Sequence, residues 1–196
     1  MKKGNNWDDH YTHRAKEEKW VARSVYKLEE IDRKQRLIKR GDRIMDLGCY
    51  PGSWSQYLLS KVGKNGEVIG IDLFIPQKLS SPNFQFIKGD ILNLETEQLL
   101  KNAGEIDLLL SDMAPKTTGN SITDCARSLE LAYKALEIAV SLLKKNSHFL
   151  CKVFEGEDFK AFEDQVSKYF GQVRLIRPSA VRKRSKEIYL LGIKKI

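Results

Sequence analysis

The sequence has few cysteines and no long apolar run. Its three cysteines, Cys49, Cys125 and Cys151, are odd in number and form no C-x-x-C pair. This argues against a disulfide framework and a thiolate zinc site and suits a reducing compartment, so we expect a cytoplasmic protein. No run reaches the ~18 apolar residues that a transmembrane helix needs. The polar start contains no apolar segment typical of a secretory signal, so we expect neither membrane insertion nor secretion.

Metal-ligating residues are also sparse. There are three histidines in the chain. His10 and His13 lie three residues apart near Asp8 and Asp9, but nothing else in the pattern completes a ligand set. We therefore expect no metal.

The G-x-G-x-x-G turn of dinucleotide-binding proteins is absent as well. Residues 43–57 read R-I-M-D-L-G-C-Y-P-G-S-W-S-Q-Y, which is an apolar run, a turn with Gly48, Pro51 and Gly52, and a helical pattern over 54–62. Such a strand–turn–helix unit makes the ligand crevice of an open α/β sheet. Because Pro51 has no N–H to give a pyrophosphate, S-adenosylmethionine fits better than NAD. The alternative interpretation, a structural strand–helix turn that binds no ligand, stays open.

Strand-like and helix-like segments alternate along the chain. The predicted strands are 44–47, 68–71, 84–87, 106–110, 149–154, 173–176 and 187–193; the predicted helices are 23–33, 54–62, 95–103, 124–145 and 159–170. This alternation predicts a Rossmann-like α/β domain over 23–196, with a seven-stranded, mostly parallel sheet and helices on both faces. Residues 177–186 are too few for a parallel crossover, so the last two strands should pair antiparallel at one end.

The net charge of +8 is unevenly distributed. Residues 1–40 carry a net +5 and residues 172–196 a net +7, whereas the centre carries −4. We expect residues 1–22 to be loosely ordered until they meet a partner. Basic ends around a near-neutral centre indicate surfaces for a polyanion, and the cluster over 182–186 favours nucleic acid over a generic solvated surface.

Four acids fall at or just after predicted strand ends: Asp46, Asp72, Asp90 and Asp112. In a doubly wound sheet these positions line one crevice. An acid after the second strand commonly holds ribose hydroxyls, which suits Asp72, and Asp90 is placed to meet an adenine amino group. Each could instead cap the following helix.

Four separated motifs occur in order: D-L-G-C-Y-P-G-S-W-S-Q (46–56), S-D-M-A-P (111–115), K-V-F-E-G (152–156) and R-S-K-E-I-Y (184–189). Together they resemble the FtsJ/RrmJ family of ribosomal RNA large-subunit 2′-O-methyltransferases. The resemblance extends from about Arg23 to the C-terminus.

The resemblance implies a catalytic tetrad of Lys27, Asp112, Lys152 and Glu187. It also implies S-adenosylmethionine contacts at Gly52, Trp54, Asp72, Asp90 and Asp112; to these the strand and turn add Asp46, Gly48 and Pro51. Two departures are visible. Cys49-Tyr50 stands where the bacterial enzymes usually have two alanines, and Ser53 stands where they have a glycine.

The chemistry calls for such a tetrad. A ribose 2′-hydroxyl is a poor nucleophile at neutral pH, so it must lose its proton as it attacks the methyl group. Lys152 is the candidate base, although a lysine must be neutral to act as one. Burial and Lys27 favour the neutral amine, whereas Asp112 and Glu187 favour the ammonium, which would instead orient the hydroxyl and stabilise the oxyanion. The sequence leaves both roles open.

We therefore expect a monomeric methyltransferase that modifies a uridine ribose in 23S ribosomal RNA. Only RNA carries the 2′-hydroxyl, and Lys and Arg of residues 14–40 and 177–186 would contact phosphates. Without a separate RNA-binding module, recognition of a preformed surface such as the 50S subunit is favoured. A tRNA ribose methyltransferase and a non-catalytic ribosome-assembly factor are the alternatives.

Overall fold

The computed structural model describes residues 6–76, 79–182 and 185–196, with the side chains of residues 6–9 excepted. Within these residues the chain forms seven strands and six helices. The strands are β1 (Arg43–Leu47), β2 (Glu67–Asp72), β3 (Phe84–Lys88), β4 (Ile106–Ser111), β5 (Leu143–Phe154), β6 (Phe170–Ile176) and β7 (Glu187–Lys195). The helices are α1 (Asn6–Glu17), α2 (Val25–Gln35), α3 (Ser53–Val62), α4 (Thr96–Ala103), α5 (Ser121–Leu142) and α6 (Phe159–Ser167).

The strands form one sheet in the order β3-β2-β1-β4-β5-β7-β6. The pairs among β3, β2, β1, β4 and β5 are parallel, while β7 is antiparallel to both of its neighbours. The predicted fold class and the antiparallel pairing of the last two strands are therefore confirmed. The sequence did not indicate that β7 inserts between β5 and β6, which places its first residues beside β5.

Each face of the sheet carries its own apolar core. Helices α4, α5 and α6 cover one face, on which Met45, Leu47 and Leu109 are buried. Helices α2 and α3 cover the other, on which Ile44 and Leu108 are buried. Neighbouring residues of β1 thus point to opposite cores, as expected of a strand that is buried on both faces.

Two boundaries differ from the sequence pattern. The long helix ends at Leu142 rather than at 145, because β5 already begins at Leu143 and continues through residues that are predicted to be helical or turn. Helix α6 ends at Ser167, and Phe170 opens β6 instead of closing the helix. Leu143 and Phe170 are both buried. A buried apolar residue fits the last turn of a helix as well as the first residue of a strand, so apolar periodicity alone did not locate these boundaries.

The basic N-terminal segment contains helix α1, where the sequence indicates little regular structure. Ala15 is buried against the core of the α2/α3 face, and Tyr11 and Trp20 pack around it. The expectation that residues 1–22 become ordered only with a partner stays a prediction. None of the helices in the described residues is long and apolar enough to cross a membrane.

Candidate active site

The predicted strand-end acids lie at the point where the strand order of the sheet reverses, at β1. β1 lies between β2 and β4, so the carboxyl ends of three parallel strands are neighbours. Asp112 follows β4 directly, and its N–H donates to the Leu47 carbonyl of β1 at 3.2 Å. In open α/β sheets this reversal of strand order is where the ligand crevice forms.

A cleft of about 380 Å³ opens at this edge. Four predicted cofactor residues line it: Gly48, Asp72, Asp90 and Asp112. Its apolar lining comes from Tyr50, Ile71, Leu73, Phe74, Ile91, Met113 and Leu131. A largely apolar cleft of this size with a few convergent polar groups suits a small organic ligand.

Gly48 is required at the floor of the cleft. Its φ of +77° is in the left-handed region, and an added Cβ would lie 2.7 Å from Met113 Cγ. A side chain here would be strained and would displace Met113. The glycine therefore lets the β1 turn and the loop after β4 approach each other beside the cleft.

Asp46 lies beneath the cleft and is fully buried. Ser55 Oγ donates to its Oδ2 at 2.6 Å, while Oδ1 has no hydrogen-bond partner among the described residues. Burial, together with the nearby Asp112 and Asp72, raises the pKa of Asp46 to about 7, although the Ser55 hydrogen bond opposes this shift. A buried acceptor without a donor is the feature expected beside a ligand that supplies one.

The other two acids hold the cleft walls. Asp72 accepts from the Tyr50 N–H at 2.9 Å and from the Phe74 N–H at 3.0 Å, which ties the β1 turn to the loop after β2. Asp90 accepts from the Leu92 N–H at 3.1 Å. Each carboxylate oxygen can accept a further hydrogen bond, so both remain capable of binding a ligand.

Four predicted cofactor residues are not among the described residues that line the cleft: Asp46, Pro51, Gly52 and Trp54. Gly52 precedes α3 with φ of +117°, and an added Cβ would lie 2.9 Å from Leu79 Cδ1. Trp54 is buried, and its indole N–H donates to the Ser24 carbonyl at 2.9 Å. Their cofactor contacts stay predictions.

The departures from the family pattern fall in different places. Tyr50 lines the cleft, and its ring contacts Phe74 with centroids 5.6 Å apart. Cys49 is buried against Gly70 of β2, and Ser53 Oγ lies 2.7 Å from Ser24 Oγ. Among the described lining residues, only Tyr50 of these three is present.

The four predicted tetrad residues lie together beside the cleft. Lys152 Nζ donates to the Asp112 carbonyl at 2.5 Å and lies 3.0 Å from Asp112 Oδ1. Lys27 Nζ donates to Glu187 Oε1 at 2.6 Å. The Lys152 side chain is 6% exposed and the other three are 13–15% exposed, so these ion pairs are largely shielded from water.

Tyr189 joins the two ion pairs, a role that the sequence did not reveal. Its hydroxyl donates to Asp112 Oδ1 at 2.7 Å, and Lys27 Nζ lies 5.9 Å from its ring centroid. The side chain is fully buried and lies opposite Lys152 across the β5/β7 ladder. Tyr189 closes the R-S-K-E-I-Y motif, but nothing in the spacing distinguished it from a core aromatic.

The tetrad keeps Asp112 ionised despite its surroundings. Burial favours the neutral acid, but Lys152, Lys27 and the Tyr189 hydroxyl outweigh it and hold the pKa of Asp112 below its usual range. An ionised carboxylate at this point can fix the position of a lysine amine.

The C-terminal basic segment is only partly described. Arg177 pairs with Glu155 at 2.6 Å, and Lys186 Nζ donates to Ser121 Oγ at 2.5 Å. Lys183 and Arg184 lie outside the described residues. No group of three or more metal-ligating side chains was found in the described part of the chain, and the expectation of no metal stays a prediction.

Residues 20–195 match the family model of FtsJ-like methyltransferases. The chain is 46% identical over 190 residues to the ribosomal RNA large subunit methyltransferase E of Bdellovibrio bacteriovorus, covering 95% of this chain and 96% of that protein. It is 44% identical over 198 residues to the protein of the same name from Desulfosudis oleivorans, covering 98% and 93%.

Solved structures resemble the fold in the same way. A chain from Plasmodium falciparum, described as a ribosomal RNA methyltransferase, has a TM-score of 0.77 and 30% identity, with 90% of this chain and 98% of that chain covered. Fibrillarin from Aeropyrum pernix, which was solved with S-adenosyl-L-methionine bound, has a TM-score of 0.58 and 16% identity, with 80% and 68% covered. At that identity the second match bears on the fold alone.

Proposed function

The chain belongs to the FtsJ-like methyltransferase family, and from this premise we propose that it methylates the 2′-oxygen of a uridine ribose in 23S ribosomal RNA. S-adenosylmethionine is the methyl donor. The observation that carries the proposal is the shielded Lys27–Glu187 and Lys152–Asp112 cluster at the edge of the cofactor cleft. The relatives' name, ribosomal RNA large subunit methyltransferase E, supports the substrate.

The cleft suits S-adenosylmethionine. When bound, this cofactor supplies an electrophilic methyl group on a positively charged sulfur. The oxygens of Asp72 and Asp90 line the cleft and offer acceptors for the hydroxyl and amino groups that such a ligand carries. The unpartnered Asp46 Oδ1 is buried near Asp72 and Asp112 and does not line the cleft itself. Because Gly48 has no side chain, the floor of the cleft stays open to a ligand, and the apolar lining suits a nucleoside without phosphates.

Lys152 is the residue that we assign to the nucleophile. Because the Lys152 ammonium is paired with the ionised Asp112, it must first lose a proton; the neutral Nζ then accepts the 2′-hydroxyl proton as the oxygen attacks and becomes an ammonium again. The two Asp112 contacts fix the amine in position before the substrate arrives, so alignment contributes to the rate as well as proton transfer.

Lys27 and Glu187 hold the ribose and its surroundings. Their ion pair extends the cluster from β7 to α2, and Lys27 adds positive charge near the developing oxyanion. Tyr189 acts through Asp112, because its hydroxyl donates to the same oxygen that faces Lys152. We regard it as a positioning residue.

The substrate in this proposal is the assembled 50S subunit. The described chain has one sheet and no second RNA-binding module, so it suits a preformed RNA surface more than a free oligonucleotide. The basic ends of the chain supply salt-dependent phosphate contacts. We further propose that the enzyme works as a monomer in the cytoplasm.

The test is methyl transfer from labelled S-adenosylmethionine to 50S subunits that lack the modification, to free 23S RNA and to tRNA. The label should appear mainly on the subunit and be recovered as 2′-O-methyluridine after nucleoside digestion. Label on tRNA alone would contradict the substrate, and cofactor binding without transfer to any RNA would contradict the activity.

A further inference from the structure

A second cavity, of about 320 Å³, opens next to the loop that lines the cofactor cleft. Asp112, Met113, Ala114 and Lys116 of this loop contribute to the cleft, whereas Thr117 and Gly119 contribute to the second cavity. The remaining walls come from the first turns of α5, the end of β5 and residues 185–186. The proposed cofactor site does not use any of these walls.

The cavity borders the tetrad along two adjacent strands. Phe154 lies two residues after Lys152 on β5, so their side chains share a face of the strand, and Phe154 lies opposite Glu187 in the ladder. Lys186 immediately precedes Glu187, and its carbonyl accepts from the Glu155 N–H at 2.8 Å. A ligand in this cavity would therefore be the immediate neighbour of a ribose held at the tetrad.

The lining groups suit a nucleoside with its phosphate. Thr117, Ser121 and Ser185 offer hydroxyls, and the half-buried Phe154 offers an aromatic surface. Lys186 Nζ donates to Ser121 Oγ at 2.5 Å, and an ammonium has two further donors for a phosphate or a base carbonyl. Aromatic stacking with nearby hydrogen-bonding groups is how proteins bind unpaired bases.

The other polar groups at the cavity are already engaged. Asp124 keeps its negative charge, and its Oδ1 accepts from the Thr118 N–H at 2.8 Å and the Thr118 hydroxyl at 2.9 Å, which holds the carboxylate against the loop. Asn120 caps the helix by accepting from the Ile122 and Thr123 N–H groups. The site thus depends on the lysine, the hydroxyls and the ring, and not on the backbone N–H groups at the start of α5.

We propose that this cavity binds the nucleoside adjacent to the methylated one, with its base against Phe154 and its phosphate near Lys186. This inference rests on the proposed function, because it takes the target ribose to be at the tetrad. It adds a subsite that reads the RNA beside the target and thereby fixes which ribose reaches Lys152.

The first experiment fills the cavity. Thr117 is exposed at the cavity, so Thr117→Trp should block it without loss of core packing. Asn102→Trp is the matched control. Asn102 is exposed near the end of α4, and the following Gly104 lies close to Arg43, which begins β1 at the amino ends of the parallel strands, away from the cavity. We expect Thr117→Trp to raise KM for unmethylated 50S subunits at least tenfold, while Tm and S-adenosylmethionine affinity match those of the control.

A second variant covers the case in which Thr117→Trp lowers Tm. Phe154→Leu keeps an apolar side chain but removes the stacking surface, and it should raise KM for the subunit several-fold with cofactor affinity unchanged. A KM equal to that of Asn102→Trp in the correctly folded variants would overturn the inference. Wild-type protein that transfers no methyl group to RNA would instead contradict the proposed function and remove the basis of this inference.

Crosslinking locates the occupant. A p-benzoylphenylalanine at position 117, irradiated with bound 50S subunits, should crosslink to a nucleotide next to the methylated uridine, as mapped by primer extension. Crosslinks to a ribosomal protein or to distant RNA would overturn the inference.

Discussion

Lys152 Nζ contacts Asp112 twice, at the backbone carbonyl at 2.5 Å and at Oδ1 at 3.0 Å. Two contacts to one residue fix the amine more firmly than a single ion pair, because the backbone carbonyl cannot rotate away. Asp112 also lines the cleft that we propose for the methyl donor, so the same residue contacts the amine and borders that cleft.

The Tyr189 hydroxyl should matter for turnover but not for binding. Tyr189→Phe removes the donor to Asp112 Oδ1 and leaves the aromatic packing in place. A hydrogen bond to a charged group contributes about 1.5–3 kcal/mol, so we expect kcat to fall about tenfold or more with KM for RNA nearly unchanged. Steady-state kinetics with 50S subunits checks this; a rise in KM at constant kcat would contradict the positioning role.

The Lys27–Glu187 pair should act as a unit. Lys27→Met and Glu187→Gln each leave one buried partner without its counter-charge, so each should lower kcat by at least tenfold. The double variant should lose less than the product of the two single losses. Lys34→Met is the control: the Lys34 side chain is 55% exposed and its partner Glu30 keeps two hydrogen bonds from Ser179, so kcat should stay within twofold. Multiplicative losses at Lys27 and Glu187 would contradict the coupling.

Asp72 should be needed for cofactor affinity. Its carboxylate lines the cleft and holds the Tyr50 and Phe74 N–H groups, so Asp72→Ala removes both a ligand acceptor and the support of the walls. We expect the Kd for S-adenosylmethionine, measured by calorimetry, to rise at least tenfold. Asp164→Ala on the exposed side of α6 should leave the Kd unchanged; equal affinities of the two variants would contradict the assignment.

The ends of β2 and β4 were readable from the sequence because their apolar runs stop at an acid. Asp72 and Asp112 fall at or just after the ends of β2 and β4, and the parallel order then brings them together. By contrast, Tyr189 and the insertion of β7 beside β5 depend on which strands pair across the chain, and this long-range choice leaves no local pattern. The boundary at Leu143 was missed for a related reason. An apolar residue at this position is buried whether it ends the helix or begins the strand, so the apolar pattern does not distinguish the two.

Trp54 shows how a residue implied by family resemblance can serve the fold. Trp54→Phe keeps a buried ring but loses the indole N–H that donates to the Ser24 carbonyl. We expect Tm to fall by a few degrees, since a lost buried hydrogen bond costs roughly 1–3 kcal/mol. A cofactor contact through the Trp54 backbone would survive, so the Kd should change less than twofold; a weaker Kd at constant Tm would show that the side chain itself binds the cofactor.

Titration of Asp46 should lower the free energy of unfolding as the pH rises towards 7. Burial raises its pKa to about 7 in the folded chain, so between its ordinary value and pH 7 the folded state holds a proton that the unfolded state has released. That stabilisation is complete below pH about 4 and is lost as pH rises through 7, at up to about 1.4 kcal/mol per pH unit.

Asp46→Asn removes this titration while keeping an acceptor for Ser55. Between pH 5 and 8 the free energy of unfolding of the wild type should fall by about 2–3 kcal/mol relative to the variant, as measured by urea denaturation. A constant difference across this range would contradict the assignment of the titration to Asp46.

The most direct test of the account is the yield of 2′-O-methyluridine on unmethylated 50S subunits, with wild type and Lys152→Ala compared in single turnovers at saturating S-adenosylmethionine. The wild type should form the modified nucleoside, and the variant should lose at least 100-fold in rate while binding cofactor and subunit normally. A variant that methylates the subunit at the wild-type rate would contradict the assignment of Lys152 to the ribose hydroxyl.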